Sequence, residues 1–150
     1  MAFEKCPHCH RTLTEGEACR ARFDLFLAKE FANPTIFGVV HNLSVPSYML
    51  QHNEYSREGW LETRKLLYKF VHEELSPSDA RKQNRDKVDS GNRKWSFTKG
   101  EKLAQVDNIH WTRTIADVRL NTAENYCADV KLWAASILAD TESLMRDLGE

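Results

Sequence analysis

Apolar residues recur at three- and four-residue steps along much of this 150-residue chain, and that period calls for helices. The longest instance starts at Thr122. Tyr126, Val130, Trp133, Ile137, Leu144 and Leu148 step by three, four or seven residues and predict one helix to about Leu148. Cys127 borders that stripe and is expected to be a buried, structural thiol. Cys19, Phe23, Phe26, Leu27 and Phe31 predict a helix from Glu17 to about Ala32, ending at Asn33-Pro34 because the residue before a proline avoids the helical region. Ser56 opens another, to about Leu75, with Trp60, Leu67, Tyr68 and Val71 inward. Between them Asn33 and Ser44 predict two short capped helices, with Pro34 and Pro46 in their first turns. Thr114 to Asp117 spells a capping box, and residues 95–113 read as irregular or weakly extended around Trp95, Phe97, Leu103, Ile109 and Trp111.

The expected fold class is therefore all-α, a helical bundle with a short N-terminal zinc-knuckle appendage. Residues 1–150 read as a single domain: a metal knuckle and turn over 1–16, a helical first half over 17–75, a charged exposed segment over 76–94, and an irregular stretch with a long C-terminal helix over 95–150. A chain of this length buries a core without staples. Its formal net charge of -1 gives no basic field for nucleic acid or anionic lipid. Segment 76–94 holds six Lys/Arg against three Asp/Glu, without interleaved aromatics, and reads as a solvated helix and loop. No apolar run approaches the roughly 18 residues that span a bilayer, and no apolar stretch precedes a small-residue cleavage site. The expectation is a cytoplasmic protein whose thiols stay reduced, where paired cysteines favour metal over a disulfide.

The chemistry concentrates in Cys6-Pro7-His8-Cys9. A redox Cys-x-x-Cys needs its first thiol at a helix N-terminus, and in the thioredoxin context a preceding buried strand. Only five residues precede Cys6, and no β-branched run supplies a parallel sheet. Zinc asks instead for a tight turn that aims two thiolates at one point, with Zn–S near ~2.3 Å. Pro7 fixes φ at the start of that turn, and residue 10 calls for a left-handed backbone, where His10 stands in place of the usual glycine.

Two cysteines leave the site half-made. The other candidates are Cys19 and six histidines: His8, His10, His41, His52, His72 and His110. His8 lies inside the knuckle, His10 is strained by adjacency to Cys9, His72 ends a charged helix, and His110 lies in an irregular stretch. His41 and His52 are set among apolar residues. Eleven residues along one straight helix would part them by roughly 16 Å, too far for one ion. A break at Leu43-Ser44-Val45-Pro46 would fold them together. The expected metal ligands are thus Cys6, Cys9, His41 and His52. Cys19 is the competitor, although it also fits the apolar face of its helix.

"CPHC", "CRARF", "VHNLSVPSYMLQH", "TIADV" and "VKLWAAS" resemble, in order, the motifs of an uncharacterised bacterial domain family of unknown function: CPxCG, a Cys before an aromatic helix, HxLTVxxYxxQHP, TVxDV and VxxWA. The resemblance touches most of the chain outside 76–94 and implies that Cys6, Cys9, Cys19, His41 and His52 are the chemically interesting set. It implies no activity. The chain departs from the pattern at His10 for Gly, Pro46 for a frequent Asp, and Asn53 for Pro.

Three functions follow from these residues. The first is a zinc-binding helical protein whose closed site is structural and supports an interaction module, with a protein as partner. The second is a metal-dependent enzyme with an open zinc position, for which Tyr48, Glu54 and Glu58 lie nearest in sequence. The third is a thiol-disulfide oxidoreductase acting through Cys6 and Cys9. No Walker loop, GxGxxG or GxSxG is present.

Overall fold

The computed structural model describes residues 5–12, 18–73, 75–76, 78–79 and 100–150. Most of the charged segment 76–94, together with Trp95 and Phe97, lies outside the described residues. The chain is an all-α bundle: α1 (Cys19–Ala32), α2 (His41–Gln51), α3 (Arg57–His72), α4 (Ala123–Asp140) and α5 (Glu142–Leu148), with short 3-10 turns at Gly38–Val40, Ala104–Asn108 and Ile115–Asp117. Among the described residues the extended pairing is one antiparallel bridge, Lys5 with Thr12. No helix among them is long and apolar enough to cross a membrane.

The core forms where α2, α3 and α4 pack on one another, with α1 against α2. Trp60 of α3, Trp133 and Tyr126 of α4, and Phe23 and Phe26 of α1 are fully buried there. Each such side chain contributes about 1.5–3 kcal/mol by leaving water. Phe26 meets Tyr126 and Trp133 edge to face, at 5.2 and 6.3 Å between ring centroids. Phe31, expected on the same inward face, is instead 72% exposed at the end of α1.

Caps hold the elements where the sequence places them. The Ser56 hydroxyl accepts from the Gly59 N–H at 3.2 Å, and Thr122 accepts from Asn125 at 3.1 Å. Thr114 accepts from the Ala116 N–H while the Asp117 carboxylate accepts from the Thr114 N–H at 2.8 Å, closing the box.

Two boundaries differ from the sequence expectation. The long C-terminal helix is interrupted at Thr141, whose hydroxyl donates to the Ile137 carbonyl at 2.8 Å. Back-bonding of this kind bends a helix. The buried Arg64 braces the interruption: its Nε donates to Thr141 Oγ1 at 2.7 Å and its Nη2 to the Leu138 carbonyl at 3.0 Å. The second difference bears on the site. The expected break at residues 43–46 does not occur, and α2 runs through Pro46 without interruption. Pro46 removes one backbone bond, to the carbonyl four residues earlier, but burial of Leu43, Tyr48 and Leu50 holds the helix together around it. Ser44 caps nothing; its hydroxyl is turned to Glu30.

Candidate metal centre

The knuckle forms as its residues require. The Cys6 N–H donates to the Arg11 carbonyl at 2.9 Å, and the His10 N–H to the Cys6 carbonyl at 2.9 Å. That turn needs a left-handed residue at its exit, and His10 adopts φ 65°. Backbone N–H groups of His8 and Cys9 point at the Cys6 sulfur, and that of Arg11 at the Cys9 sulfur, an arrangement made for thiolates. The turn is pinned to the 3-10 segment at 104–108 and its exit. His8 Nδ1 lies 3.0 Å from Asp107 Oδ1, His10 Nε2 lies 2.8 Å from the Asp107 carbonyl, and the Trp111 indole donates to the His8 carbonyl at 3.2 Å.

The other half of the site comes from the N-terminus of α1 and the C-terminal end of α2. Cys19 is the first residue of α1 and its side chain is turned inward. His52 follows the last residue of α2, and three bonds fix that end. The Trp60 indole donates to the Leu50 carbonyl at 3.0 Å, Gln51 Nε2 donates to the Arg113 carbonyl at 2.7 Å, and the Trp133 indole donates to Gln51 Oε1 at 3.2 Å. The chain then reverses through Asn53 at φ 51°, whose amide donates to the Leu103 carbonyl at 2.9 Å. The rings of Phe23, Tyr48 and His52 stack in a column, each neighbouring pair 4.0 Å apart between centroids.

The outcome is a buried convergence of Cys6, Cys9, Cys19 and His52, one donor atom from each, all within 4.8 Å of one another. These residues are able to hold a metal ion. A tetrahedral ion with Zn–S near ~2.3 Å has sulfur–sulfur edges of about 3.8 Å, and the Cys9 and Cys19 sulfurs stand 3.7 Å apart. His52 is oriented as ligating histidines are. Its Nδ1 donates to the Tyr48 carbonyl at 2.9 Å, so Nε2 is the nitrogen turned to the sulfurs. That Nε2 is buried and has no hydrogen-bond partner. An ion held between that nitrogen and the three sulfurs would satisfy it.

The electrostatics agree with the geometry. The Cys19 thiol, donating to Cys9, pulls Cys9 down to about 4 against the effect of burial. Cys19, as that donor and buried beside other sulfurs, is pushed up. Burial pushes Cys6 up, yet His52 and the knuckle N–H groups leave it below its ordinary value. Burial also pushes His52 down, but the Cys6 and Cys9 sulfurs outweigh it and raise the imidazole to about 9. The cluster favours negative sulfur around positive charge, the field a cation would meet.

Of the four residues expected as ligands, Cys6, Cys9 and His52 come together and His41 does not. Because α2 is unbroken, His41 stands at its opposite end, and its Nδ1 lies 2.6 Å from Glu30 Oε1. Cys19 completes the set instead. The signal for it was its place as first residue of a helix only ten positions after Cys9, which its fit to the apolar stripe obscured. The other histidines take separate places, His8 and His10 on Asp107, His72 exposed beside Tyr68, and His110 exposed. Cys127 is only part-buried, with its thiol on the Ile36 carbonyl at 3.3 Å.

No curated protein and no solved structure matches the chain. A family of unknown function (DUF5946) matches residues 4–142, which contain all four converging residues and every helix to Asp140. The chain belongs to that family.

Proposed function

We propose that Cys6, Cys9, Cys19 and His52 bind one zinc ion, and that this site is structural. The observation that carries the reading is the buried, partnerless Nε2 of His52 facing three convergent cysteine sulfurs. A donor set of three thiolates and one imidazole suits zinc in tetrahedral geometry. Four protein donors fill that geometry and leave no position for water or substrate, which favours a structural role over a Lewis-acid one. Tyr48, near in sequence, is stacked on His52 and its hydroxyl is pushed up by burial, so it supplies no base there. A thiol-disulfide role for Cys6 and Cys9 is the weaker reading, since Cys6 sits in a turn rather than at a helix N-terminus and its sulfur converges with two further donors, Cys19 and His52, beside Cys9.

The ion joins the knuckle to α1 and α2, and its binding free energy becomes folding free energy. The helical body so fastened serves as an interaction module for a protein partner, and Leu25 and Leu132, half exposed on α1 and α4, offer apolar contact area for it.

Metal stoichiometry on purified protein is the test. Wild type is expected to hold one zinc per chain. Cys6→Ser, Cys19→Ser and His52→Ala should each lose it, and His41→Ala should keep it. Full occupancy in Cys19→Ser, or loss in His41→Ala, would overturn the assignment.

A further inference from the structure

Two lines of residues with the same spacing run along opposite faces of α1. Cys19, Phe23, Phe26 and Glu30, at steps of four, three and four, are the residues it buries. Ala21, Leu25, Ala28 and Ala32 repeat those steps about half a turn round, and all four are exposed. A surface helix ordinarily sets charged or polar side chains on its outer face, yet this outer line holds none. Leu25 is 50% exposed, and Phe31 beside the line is 72% exposed. The spacing is that of a heptad seam, with Leu25 and Ala32 at a and with Ala21 and Ala28 at d. The small alanines let a second helix come close enough to cover Leu25.

The charges beside the seam select that second helix. In the same frame Asp24 is the g residue and Lys29 the e residue. Two parallel heptad helices set g of one against e of the other, five positions on, and such pairs decide partner and orientation. Asp24 and Lys29 are five positions apart, so α1 is complementary to another α1. A two-fold axis then makes the pair twice. An antiparallel pairing sets e against e and g against g, which brings Lys29 to Arg22 and Asp24 to Phe31, and neither contact is complementary. Asp24 is more than half exposed and bonds within its own helix through Oδ1, to Arg20 at 3.2 Å. Lys29 is part-exposed, with Nζ over the Phe37 ring at 5.1 Å and no carboxylate partner among the described residues.

We propose that the outer face of α1 binds a second copy of this chain, the two α1 helices lying parallel with each Asp24 on the other copy's Lys29. Leu25 of the two copies meets at the centre of the seam, and Phe31 flanks it. This gives the interaction-module reading its protein partner and rests on that reading, but it does not need the metal. Two heptads bury little area, so the dimer is weak, with Kd on the order of 100 µM.

Sedimentation equilibrium of the full-length, metal-loaded chain, from about 5 µM to about 1 mM, tests it. Wild type should pass from monomer to dimer across that range. Leu25→Glu should raise Kd about tenfold or more, with zinc content and helicity unchanged because the side chain is on the surface. Asp24→Lys and Lys29→Asp should each raise Kd about threefold or more, and the double reversal should return it to within about threefold of wild type. Melting of the dilute monomer reads separately the Arg20 bond that both Asp24 variants lose. A chain monomeric throughout, or a dimer indifferent to Leu25→Glu, overturns the proposal. So does a Lys29→Asp dimer tighter than wild type, which is the antiparallel result, or a double reversal without recovery. A monomer with full zinc overturns this proposal alone, whereas a zinc-free chain that still dimerises supports it and overturns the metal assignment.

Discussion

His10 occupies a backbone conformation that L residues avoid, at φ 65°, and recovers part of that cost through its bond to the Asp107 carbonyl. A non-glycine residue in the left-handed region costs about 1–2 kcal/mol. Replacing it with glycine removes that strain and the bond together, so His10→Gly should leave stability within about 1 kcal/mol of wild type. His10→Ile keeps the strain, adds β-branching and loses the bond. It should destabilise by about 2 kcal/mol or more in denaturant titration, with lower metal retention, because the turn that aims Cys6 and Cys9 is then opposed. Asn53 poses the same question with a different answer. At φ 51° it holds a place that proline, fixed near -65°, cannot take. Asn53 therefore sets how the chain leaves α2 and where His52 is held.

The elements differ in how plainly the sequence announced them. Ser56, Thr114 and Thr122 were each legible as caps because a short side chain and the following turn decide the matter locally. The continuity of α2 through Pro46 was not, because proline's local cost was offset by burial of residues from other elements. The interruption at Thr141 is likewise braced by Arg64, 77 positions away. Thr141→Ala would leave the buried Arg64 Nε without its acceptor and should cost about 1–3 kcal/mol in thermal or urea unfolding. The segment after the 3-10 turn at Ile115–Asp117 is tied to α4 through Asp129, which accepts from Arg119 N–H and Nε at 2.9 Å. The Arg119 side chain, through these bonds, holds the Asp129 carboxyl below its ordinary value. The folded carboxyl thus binds its proton less readily than the unfolded one. Its contribution is in place above the unfolded value near ~3.9 and is lost as pH falls through the lower, folded one. Asp129→Asn should lower stability at neutral pH and flatten its fall below about pH 4, a comparison that melting curves at several pH values would make.

At the scale of the whole molecule, the helical class and most of the core could be read from periodicity, since Phe23, Trp60, Tyr126 and Trp133 all lie on predicted stripes and are buried. Cys6, Cys9 and His52, three of the four residues that converge, could be singled out from the sequence, but the fourth depended on whether α2 bends, which is decided by tertiary packing. The site links the knuckle to two helices, so chelation of the metal-loaded protein should lower its melting temperature. Added zinc should restore it, with a dependence on free zinc concentration. The order in which the chain is made adds a further consequence. The four converging residues all lie within positions 6–52, so a nascent chain carries the complete donor set before α3 and α4 have been synthesised. Yet Gln51, next to His52, is fastened to Arg113 and Trp133, which arrive much later. Capture of the proposed ion can therefore precede completion of the fold, while the donor set is held firmly only when the last third of the protein docks.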